Sequence, residues 1–204
     1  MADVLILTLS HVPRDARLYH KLALSLSSRH RVTIACPGPV PQDEPNIAWV
    51  ALEQSNRLSM LRSLEQIAVR RAPGVIVCVE PLTMLAGIRA RKRLHSPPRL
   101  IYDCHEWFAL AFAERFPQWL RPLAGWLYGR LEDHLLRRMD AAITVNDELA
   151  ARLRRTCDDV IVCANYPADI AHQPRARKEY DVVYAGGIGC RKGMLKLLQA
   201  ALLL

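Results

Sequence analysis

The sequence lacks the cysteine spacings that mark metal-binding and redox sites. Its six cysteines form no C-x-x-C pair, and no set of cysteines and histidines has the spacing of a zinc site. Several cysteines end short apolar runs, which is typical of small buried thiols in a reducing compartment; these are Cys36, Cys78, Cys104 and Cys163. We therefore expect the cysteines to be structural and not catalytic.

Long apolar runs are also missing. No run reaches the roughly 18 to 20 residues that a membrane-spanning helix needs. The early run Val4–Leu9 is too short for a signal peptide and has no basic residues before it. These absences predict a cytoplasmic protein. The apolar fraction of 51% and the charged fraction of 24% further exclude a disordered chain and a collagen-like fibre.

Acidic residues are outnumbered, at 20 against 28 basic ones, which gives a formal net charge of +8. Excess positive charge favours anionic partners such as nucleotide phosphates or an acidic membrane leaflet, although a solvated basic surface explains it equally well. The basic run Arg89–Arg93 fits either contact with anionic lipid or, as the favoured alternative, a helix end that complements the helix dipole. No nucleic-acid motif is recognised, so no nucleic-acid partner is expected.

Seven short apolar runs alternate with segments of helical period along the first 166 residues. Apolar runs without alternation are typical of strands buried on both faces. Strands that alternate with helices predict an α/β fold with a Rossmann-like, doubly wound parallel sheet, in which ligands bind at the carboxyl ends of the strands. The seven runs are Val4–Leu9, Val32–Ala35, Ile47–Val50, Val75–Val79, Leu100–Tyr102, Ala141–Val145 and Val160–Val162.

The pattern breaks and restarts near the end of the chain. Residues 167–179 have a basic cluster and no apolar periodicity, which indicates a linker. A new strand over Asp181–Ala185 and an uncapped helix from Met194 to Leu204 then follow. One strand and one helix cannot form a core. We therefore expect a domain over 1–166 and, over 180–204, the first β–α unit of a truncated second Rossmann-like domain.

The turn between that strand and that helix has the features of a phosphate site. Glycines such as Gly186 and Gly187 allow backbone N–H groups to point outward at a helix start, where the dipole adds positive potential. Arg191 and Lys192 would add charge-assisted hydrogen bonds. The turn matches neither a Walker A loop nor G-x-G-x-x-G. A tight turn with an exposed basic pair is the alternative.

Titratable residues follow the predicted strand Leu100–Tyr102. Asp103, His105 and Glu106 are well placed there for acid–base work or for binding hydroxyl groups, since a histidine can both donate and accept. The alternative is a set of side chains that cap loop amides.

The loop after the first predicted strand is where a doubly wound domain places a ligand. It holds His11, Asp15 and Arg17 but no glycine, so close approach to a pyrophosphate is not expected. A helix cap is the favoured role of Asp15. The roles of His11 and Arg17 stay open between ligand binding and structural pairing.

An aromatic cluster includes Trp107, Phe108 and Phe112, with Trp119 and Trp126 further along. Such a cluster fits an acceptor or membrane face. Ordinary core packing is the favoured alternative, because aromatic side chains dominate protein cores.

The order and spacing of several segments resemble the family-4 retaining glycosyltransferases of the GT-B fold. No segment is specific alone, but their succession is, and it covers essentially the whole chain. The segments are Val4–Leu7, Pro13–Arg17, Tyr102–Glu106, Asp140–Asn146, Asn165–Pro167, Val183–Gly187 and Arg191–Met194.

This resemblance implies two Rossmann-like domains that face each other across a cleft, the first for the acceptor and the second for a nucleotide-sugar donor. It implies a catalytic role for His105 near the transferring sugar, and substrate-binding roles for His11, Arg17, Asp103 and Glu106. Positive groups would stabilise the leaving diphosphate, so neither a metal nor a cofactor is expected besides the nucleotide-sugar. The donor diphosphate would meet Gly186, Gly187, Arg191 and Lys192.

The implied reaction moves a sugar, with retention, to a hydroxyl on a glycan, a lipid or a small molecule. Peripheral contact with the inner face of a membrane fits such acceptors. Two positions depart from the family pattern. Residues 10–12 stand where the family often has glycines after the first strand. Gly187 stands where the family usually has a second basic residue, and Arg191 would take over the role of that residue. The donor-domain E-x7-E segment is expected beyond residue 204, so the 204 residues alone are expected to be inactive. The alternative is a non-catalytic Rossmann-like module that binds a nucleotide or a partner.

Overall fold

The structure is a computed structural model that describes residues 1–41, 46–166, 183–184 and 193–202. It divides into two compact units, Met1–Tyr166 and Pro167–Leu204. In the second unit, the helix Met194–Ala201 follows Gly193, which adopts a left-handed φ of 78°. Most of the predicted strand Asp181–Ala185 lies outside the described residues. The assignment of 180–204 to a second Rossmann-like domain stays a prediction.

The first unit is built on a seven-stranded, wholly parallel sheet. Its spatial order is β3-β2-β1-β4-β5-β6-β7, so the chain winds outward in both directions from a switch point between β1 and β4. All seven predicted strands are confirmed, and so is the Rossmann-like doubly wound fold. The strands are β1 Asp3–Leu7, β2 Arg31–Pro37, β3 Ile47–Leu52, β4 Val75–Cys78, β5 Arg99–Cys104, β6 Ala141–Thr144 and β7 Val160–Val162.

Helices cover both faces of this sheet. The first begins as a π-helix over Ala16–Ala23 and continues as an α-helical turn, α1, over Leu24–Ser27. Leu5 and Leu7 of β1 pack in one apolar core, whereas Val4 and Ile6 pack in another core with the π-helix. The other helices are α2 Arg57–Arg71, α3 Pro81–Arg93, α4 Phe108–Ala113, α5 Arg121–Leu136, α6 Asp147–Leu153 and, in the second unit, α7 Met194–Ala201.

Helix α5 corrects one expectation from the sequence. Leucines at helical spacing, at positions 120, 123, 127, 131 and 135, predict a buried face. Leu135 is buried, but Leu123 and Leu127 are each 53% exposed and Leu131 is 42% exposed. The helix instead turns its small residues toward α4: a Cβ added at Gly125 would lie 3.4 Å from the Cβ of Ala113. Close approach through small residues therefore sets the packing of α5 against α4 and leaves Leu123, Leu127 and Leu131 at the surface.

The basic run at the end of α3 is engaged in ion pairs. Arg91 pairs with Asp140 at 3.0 Å, and Arg93 pairs with Glu65 at 3.1 Å. These contacts support the interpretation of Arg89–Arg93 as a helix end and remove cations from any lipid site there. No helix in the described ranges is long and apolar enough to cross a membrane.

Candidate functional site

The carboxyl ends of β1, β4 and β5 meet at one edge of the sheet, and polar side chains follow each of them. We call these residues the carboxyl-edge cluster: His11, Arg17, Glu80, Asp103 and His105. Because β1 and β4 flank the switch point, the cluster lies where open parallel sheets bind their ligands. Residues from distant parts of the chain therefore converge at one place.

Arg17 and Asp103 form a buried ion pair at this edge. The Nε of Arg17 donates to the Asp103 carboxylate at 3.0 and 3.2 Å, and its Nη2 donates to the same group. Burial opposes the charge on Arg17, but its hydrogen bonds and Coulomb attraction to Asp103 raise its pKa. Nη1 of Arg17 also donates to the carbonyl oxygen of Cys163 at 3.2 Å. The structure thus pairs two predicted substrate-binding residues with each other.

The start of the π-helix places Arg17. Asp15 caps this helix, since its carboxylate accepts from the backbone N–H groups of Arg17 at 2.9 Å and Leu18 at 3.0 Å. Nδ1 of His11 lies 3.1 Å from the same carboxylate. Burial raises the pKa of Asp15, but hydrogen bonds from Leu18 and His11 outweigh it and lower the pKa. Asp15 is therefore a helix cap, and it orients His11.

His105 has a ring nitrogen, Nδ1, that is buried and has no hydrogen-bond partner among the described residues. No other ring nitrogen of the described cluster is in this situation. This Nδ1 lies 3.8 Å from Oδ2 of Asp103. The ring packs against His11, at 5.0 Å between centroids, and against Phe108, at 5.5 Å. Burial lowers the pKa of His105 although Asp103 opposes the shift. A neutral imidazole can donate from one ring nitrogen and accept at the other, which suits it to a hydroxyl group.

Glu80 is the functional-site residue that the sequence reasoning missed. It follows β4 and accepts hydrogen bonds from four donors in the loop after β1: Thr8 Oγ1 at 2.7 Å, Leu9 N at 3.1 Å, Ser10 N at 3.0 Å and Ser10 Oγ at 2.6 Å. Its position in the sequence could have identified it. Glu80 directly follows the run Val75–Val79, and ligands bind at the residues that follow the strands of such a sheet.

The Glu80 carboxylate has a consequence for ligand binding. In a Rossmann-like domain, free backbone N–H groups after the first strand bind a pyrophosphate. Here the N–H groups of Leu9 and Ser10 already donate to a carboxylate of the same chain. An anionic ligand at this loop would find these two N–H groups already hydrogen-bonded. The negative charge of Glu80 would also repel it. The absence of glycine from the loop agrees with this arrangement.

Two cavities open at the same edge and share the lining residues Leu9, Ser10 and Arg57. The larger, of about 920 Å³, extends toward Pro37–Pro41 after β2. The smaller, of about 190 Å³, is lined by Glu80, Glu106 and Phe108 among others. Glu106 is exposed and lies at this smaller cavity, whereas Asp103 is fully buried.

The remaining site predictions concern a diphosphate and a metal. Gly186, Gly187, Arg191 and Lys192, the predicted diphosphate-binding residues, lie outside the described residues. Across the parts of the chain that the structure describes, no three His, Cys, Asp or Glu side chains are grouped so as to hold a metal ion.

A second buried polar network, which the sequence reasoning did not identify, lies between β5, α5 and α6. The hydroxyl of Tyr102 donates to Oε1 of Glu132 at 2.7 Å, and Nη2 of Arg152 donates to Oε2 at 2.6 Å. Glu132 is fully buried. Burial and the negative Glu132 raise the pKa of Cys104 to about 12, so this thiol stays protonated, as expected for a structural cysteine.

We predict that His105 makes the folded protein sensitive to acid. Its folded pKa lies below the ordinary value of 6.5, so the unfolded chain takes up a proton that the folded state resists. Stability is then complete above about pH 6.5 and falls as the pH drops below it. Urea unfolding at about pH 7.5 and about pH 5.5 should show a smaller acid loss in His105→Gln than in the parent. The exposed His134→Gln is the matched control and should leave the acid loss unchanged.

Comparison with known proteins gives a family and a fold. The family model described as a glycosyl transferase 4-like domain matches residues 16–157. The solved structure of HepE from Anabaena in complex with UDP-glucose is 15% identical, with a TM-score of 0.51, and the match covers 81% of this chain. The chain spans 44% of HepE. A short-chain dehydrogenase/reductase from Veillonella parvula is also 15% identical, with a TM-score of 0.41 over 72% of this chain and 70% of that one. No curated protein matches.

Proposed function

Because this chain belongs to the glycosyl transferase 4-like family, we propose that it is the acceptor side of a retaining glycosyltransferase. The proposed reaction transfers a hexose from a nucleotide-sugar to a hydroxyl group, in the synthesis of a glycan, polysaccharide or glycolipid. The observation that carries the proposal is His105. Its imidazole, whose pKa burial lowers, lies at the ligand-binding edge of the sheet with Nδ1 3.8 Å from the Asp103 carboxylate.

His105 is the proposed catalytic residue, in contact with the transferring sugar or the acceptor hydroxyl. The ion pair between Asp103 and Arg17 stabilises the end of β5, next to His105. His11, which lies between the cavity-lining residues Ser10 and Val12, and Glu106, which lines the smaller cavity, are the proposed substrate-binding side chains. Hydrogen bonds that strengthen as charge develops are the usual source of catalytic stabilisation in such sites.

The proposed donor is a nucleotide-sugar, as in the HepE complex with UDP-glucose. Gly186, Gly187, Arg191 and Lys192 are the proposed contacts of its diphosphate. Their positive charge would stabilise the leaving group without a metal or a cofactor. The loop after β1 supports a diphosphate site outside the first unit. Its backbone N–H groups at Leu9 and Ser10 donate to Glu80 and are therefore not free to bind the diphosphate.

We also propose a cytoplasmic protein that contacts the inner face of a membrane peripherally. The net charge of +8 and the exposed side chains of Trp119 and Trp126 support this location, because tryptophan and basic residues favour a membrane interface. Since the chain spans less than half of HepE, we propose that the 204 residues alone do not sustain turnover.

The test is sugar transfer by the natural gene product that contains these residues. A panel of UDP- and GDP-sugars is offered with a lipid extract, and nucleotide release and product anomer are measured. His105→Ala should lower kcat by roughly 100-fold or more with little change in the unfolding midpoint. Arg29→Ala, at an exposed position, should leave kcat unchanged.

Other results would point elsewhere. Tight binding of a nucleotide without transfer of any sugar would favour the non-catalytic binding module. A product with inverted anomeric configuration would overturn the proposed retention but leave the proposed sugar transfer standing. Equal rates in His105→Ala and the parent would remove His105 from the catalytic role.

A further inference from the structure

An apolar groove lies between α4 and α5, on the surface left by the small-residue packing of α5. We call it the α4–α5 groove; its volume is about 400 Å³, and its lining includes Phe112, Phe116, Leu123, Leu127, Tyr128 and Leu131. The exposed leucines of this lining have no apolar partner in the first unit that buries them. A groove of this size with almost only apolar side chains is suited to a hydrocarbon chain.

The groove adjoins the smaller cavity at the carboxyl edge. Phe112 and Tyr128 line both, and their rings stack at 4.4 Å between centroids. Phe108 also lines the cavity, and its ring contacts His105 at 5.5 Å. A single extended molecule that occupied both would place one end on the apolar surface of α5 and the other beside Phe108, whose ring contacts His105.

Two arginines lie close enough to Tyr128, which the cavity and the groove share, to oppose the rise of its pKa. Arg57 and Arg115 line the smaller cavity, and neither makes an ion pair within the described residues. The guanidinium of Arg115 lies 5.9 Å from the centre of the Phe112 ring. The carboxylates of the cavity are Glu80, which is engaged by the loop after β1, and Glu106. Two exposed guanidinium groups are thus available to an anion at the end of an apolar groove.

We propose that the acceptor is an amphipathic lipid phosphate, with its chain in the α4–α5 groove and its phosphate at Arg57 and Arg115. The inference rests on the proposed function and names the substrate class of the same site. Beyond the phosphate, the hydroxyl-bearing part of the acceptor lies toward Glu106 and His105. Charge complementarity at one end and apolar lining at the other select a molecule with both features.

The test is calorimetric titration of the chain with farnesyl phosphate below its critical micelle concentration. Farnesol, which lacks the charge, should bind roughly tenfold more weakly, and inorganic phosphate should show no measurable binding. Leu127→Glu should weaken farnesyl phosphate binding by at least roughly tenfold, because it places a charge in the groove. The double variant Arg57→Gln/Arg115→Gln should bind farnesyl phosphate only as well as farnesol.

Matched controls use exposed residues elsewhere in the first unit. Leu24→Glu lies on α1, which covers the opposite core, and Arg29→Gln lies just after it. Both should bind farnesyl phosphate as the parent does. Leu123→Glu is a second groove variant, and all variants should keep the thermal midpoint of the parent since the changed side chains are exposed.

Several outcomes would overturn the inference. These are no binding of farnesyl phosphate, equal binding of farnesol, and binding that Leu127→Glu leaves intact. Binding only to vesicles of phosphatidylglycerol, and not to monomeric farnesyl phosphate, would make the face a membrane contact instead of an acceptor site. Sugar transfer that the groove variants do not alter would leave the proposed function standing. If farnesyl phosphate binds but no nucleotide-sugar supports transfer, the proposed function is overturned. The proposal that the groove binds a lipid phosphate then still stands.

Discussion

Arg17→Met should destabilise the first unit by about 3 to 5 kcal/mol. The substitution keeps most of the side-chain volume but leaves the Asp103 carboxylate, which is fully buried, without its cation. A buried charge that loses its partner keeps the cost of desolvation and loses the attraction that offset it. Urea unfolding at neutral pH measures the difference in free energy of unfolding.

The same variant should raise the pKa of His105. The positive charge of Arg17 lowers that pKa, and the negative charge of Asp103 raises it. Removal of Arg17 leaves the attraction of Asp103, whose Oδ2 lies 3.8 Å from Nδ1 of His105, without that opposing charge. A titration of the His105 ring protons by NMR should therefore move to higher pH. A purely structural role of Arg17 in packing would leave this titration unchanged.

An exposed ion pair provides the control. Arg31 pairs with Asp3 through two hydrogen bonds, but both side chains are exposed to solvent. Solvent screens such pairs, so Arg31→Met should have little effect on stability. If Arg31→Met and Arg17→Met lose the same stability, burial of Asp103 is not the cause of the loss.

The strands were predictable because a parallel strand buried on both faces needs apolar residues at successive positions. Val4 to Leu7 show this directly, since alternate side chains enter different cores. The packing of α5 was not predictable in the same way. Its leucine stripe has helical period, but Gly125 allows α4 to approach on another side. Periodicity shows which residues could be buried, and the neighbouring helix decides which of them are.

The candidate site was predictable by position and not by pairing. The rule that ligands meet the carboxyl ends of parallel strands selects Asp103, His105 and His11 from the sequence. Pairing depends on contacts between residues far apart in the chain: Arg17 and Asp103 are 86 positions apart, and Thr8 and Glu80 are 72 apart. No local pattern encodes such pairs. The sequence therefore leaves open whether a polar residue faces a ligand or another side chain.

The network behind the site gives the other large effect. Arg152→Met should destabilise the first unit by about 3 to 5 kcal/mol, because Glu132 would stay buried with only the Tyr102 hydroxyl and the weak Cys104 thiol as donors. Arg155→Met, at an exposed position just after α6, is the control and should change stability little. Chemical denaturation of both variants measures the difference.

The triple variant Tyr102→Phe/Glu132→Leu/Arg152→Met separates electrostatics from packing. It removes the buried carboxylate together with its two strong donors, and the Cys104 thiol, which also donates to Glu132, keeps the carbonyl oxygen of Glu106 as an acceptor. Its stability should return to within about 1 kcal/mol of the parent or exceed it, because apolar side chains avoid the desolvation of a buried ion pair. If the triple variant is as unstable as Arg152→Met alone, the loss comes from the lost packing of the Arg152 stem. Recovery would show that Glu132 is costly only when its partners are removed one at a time.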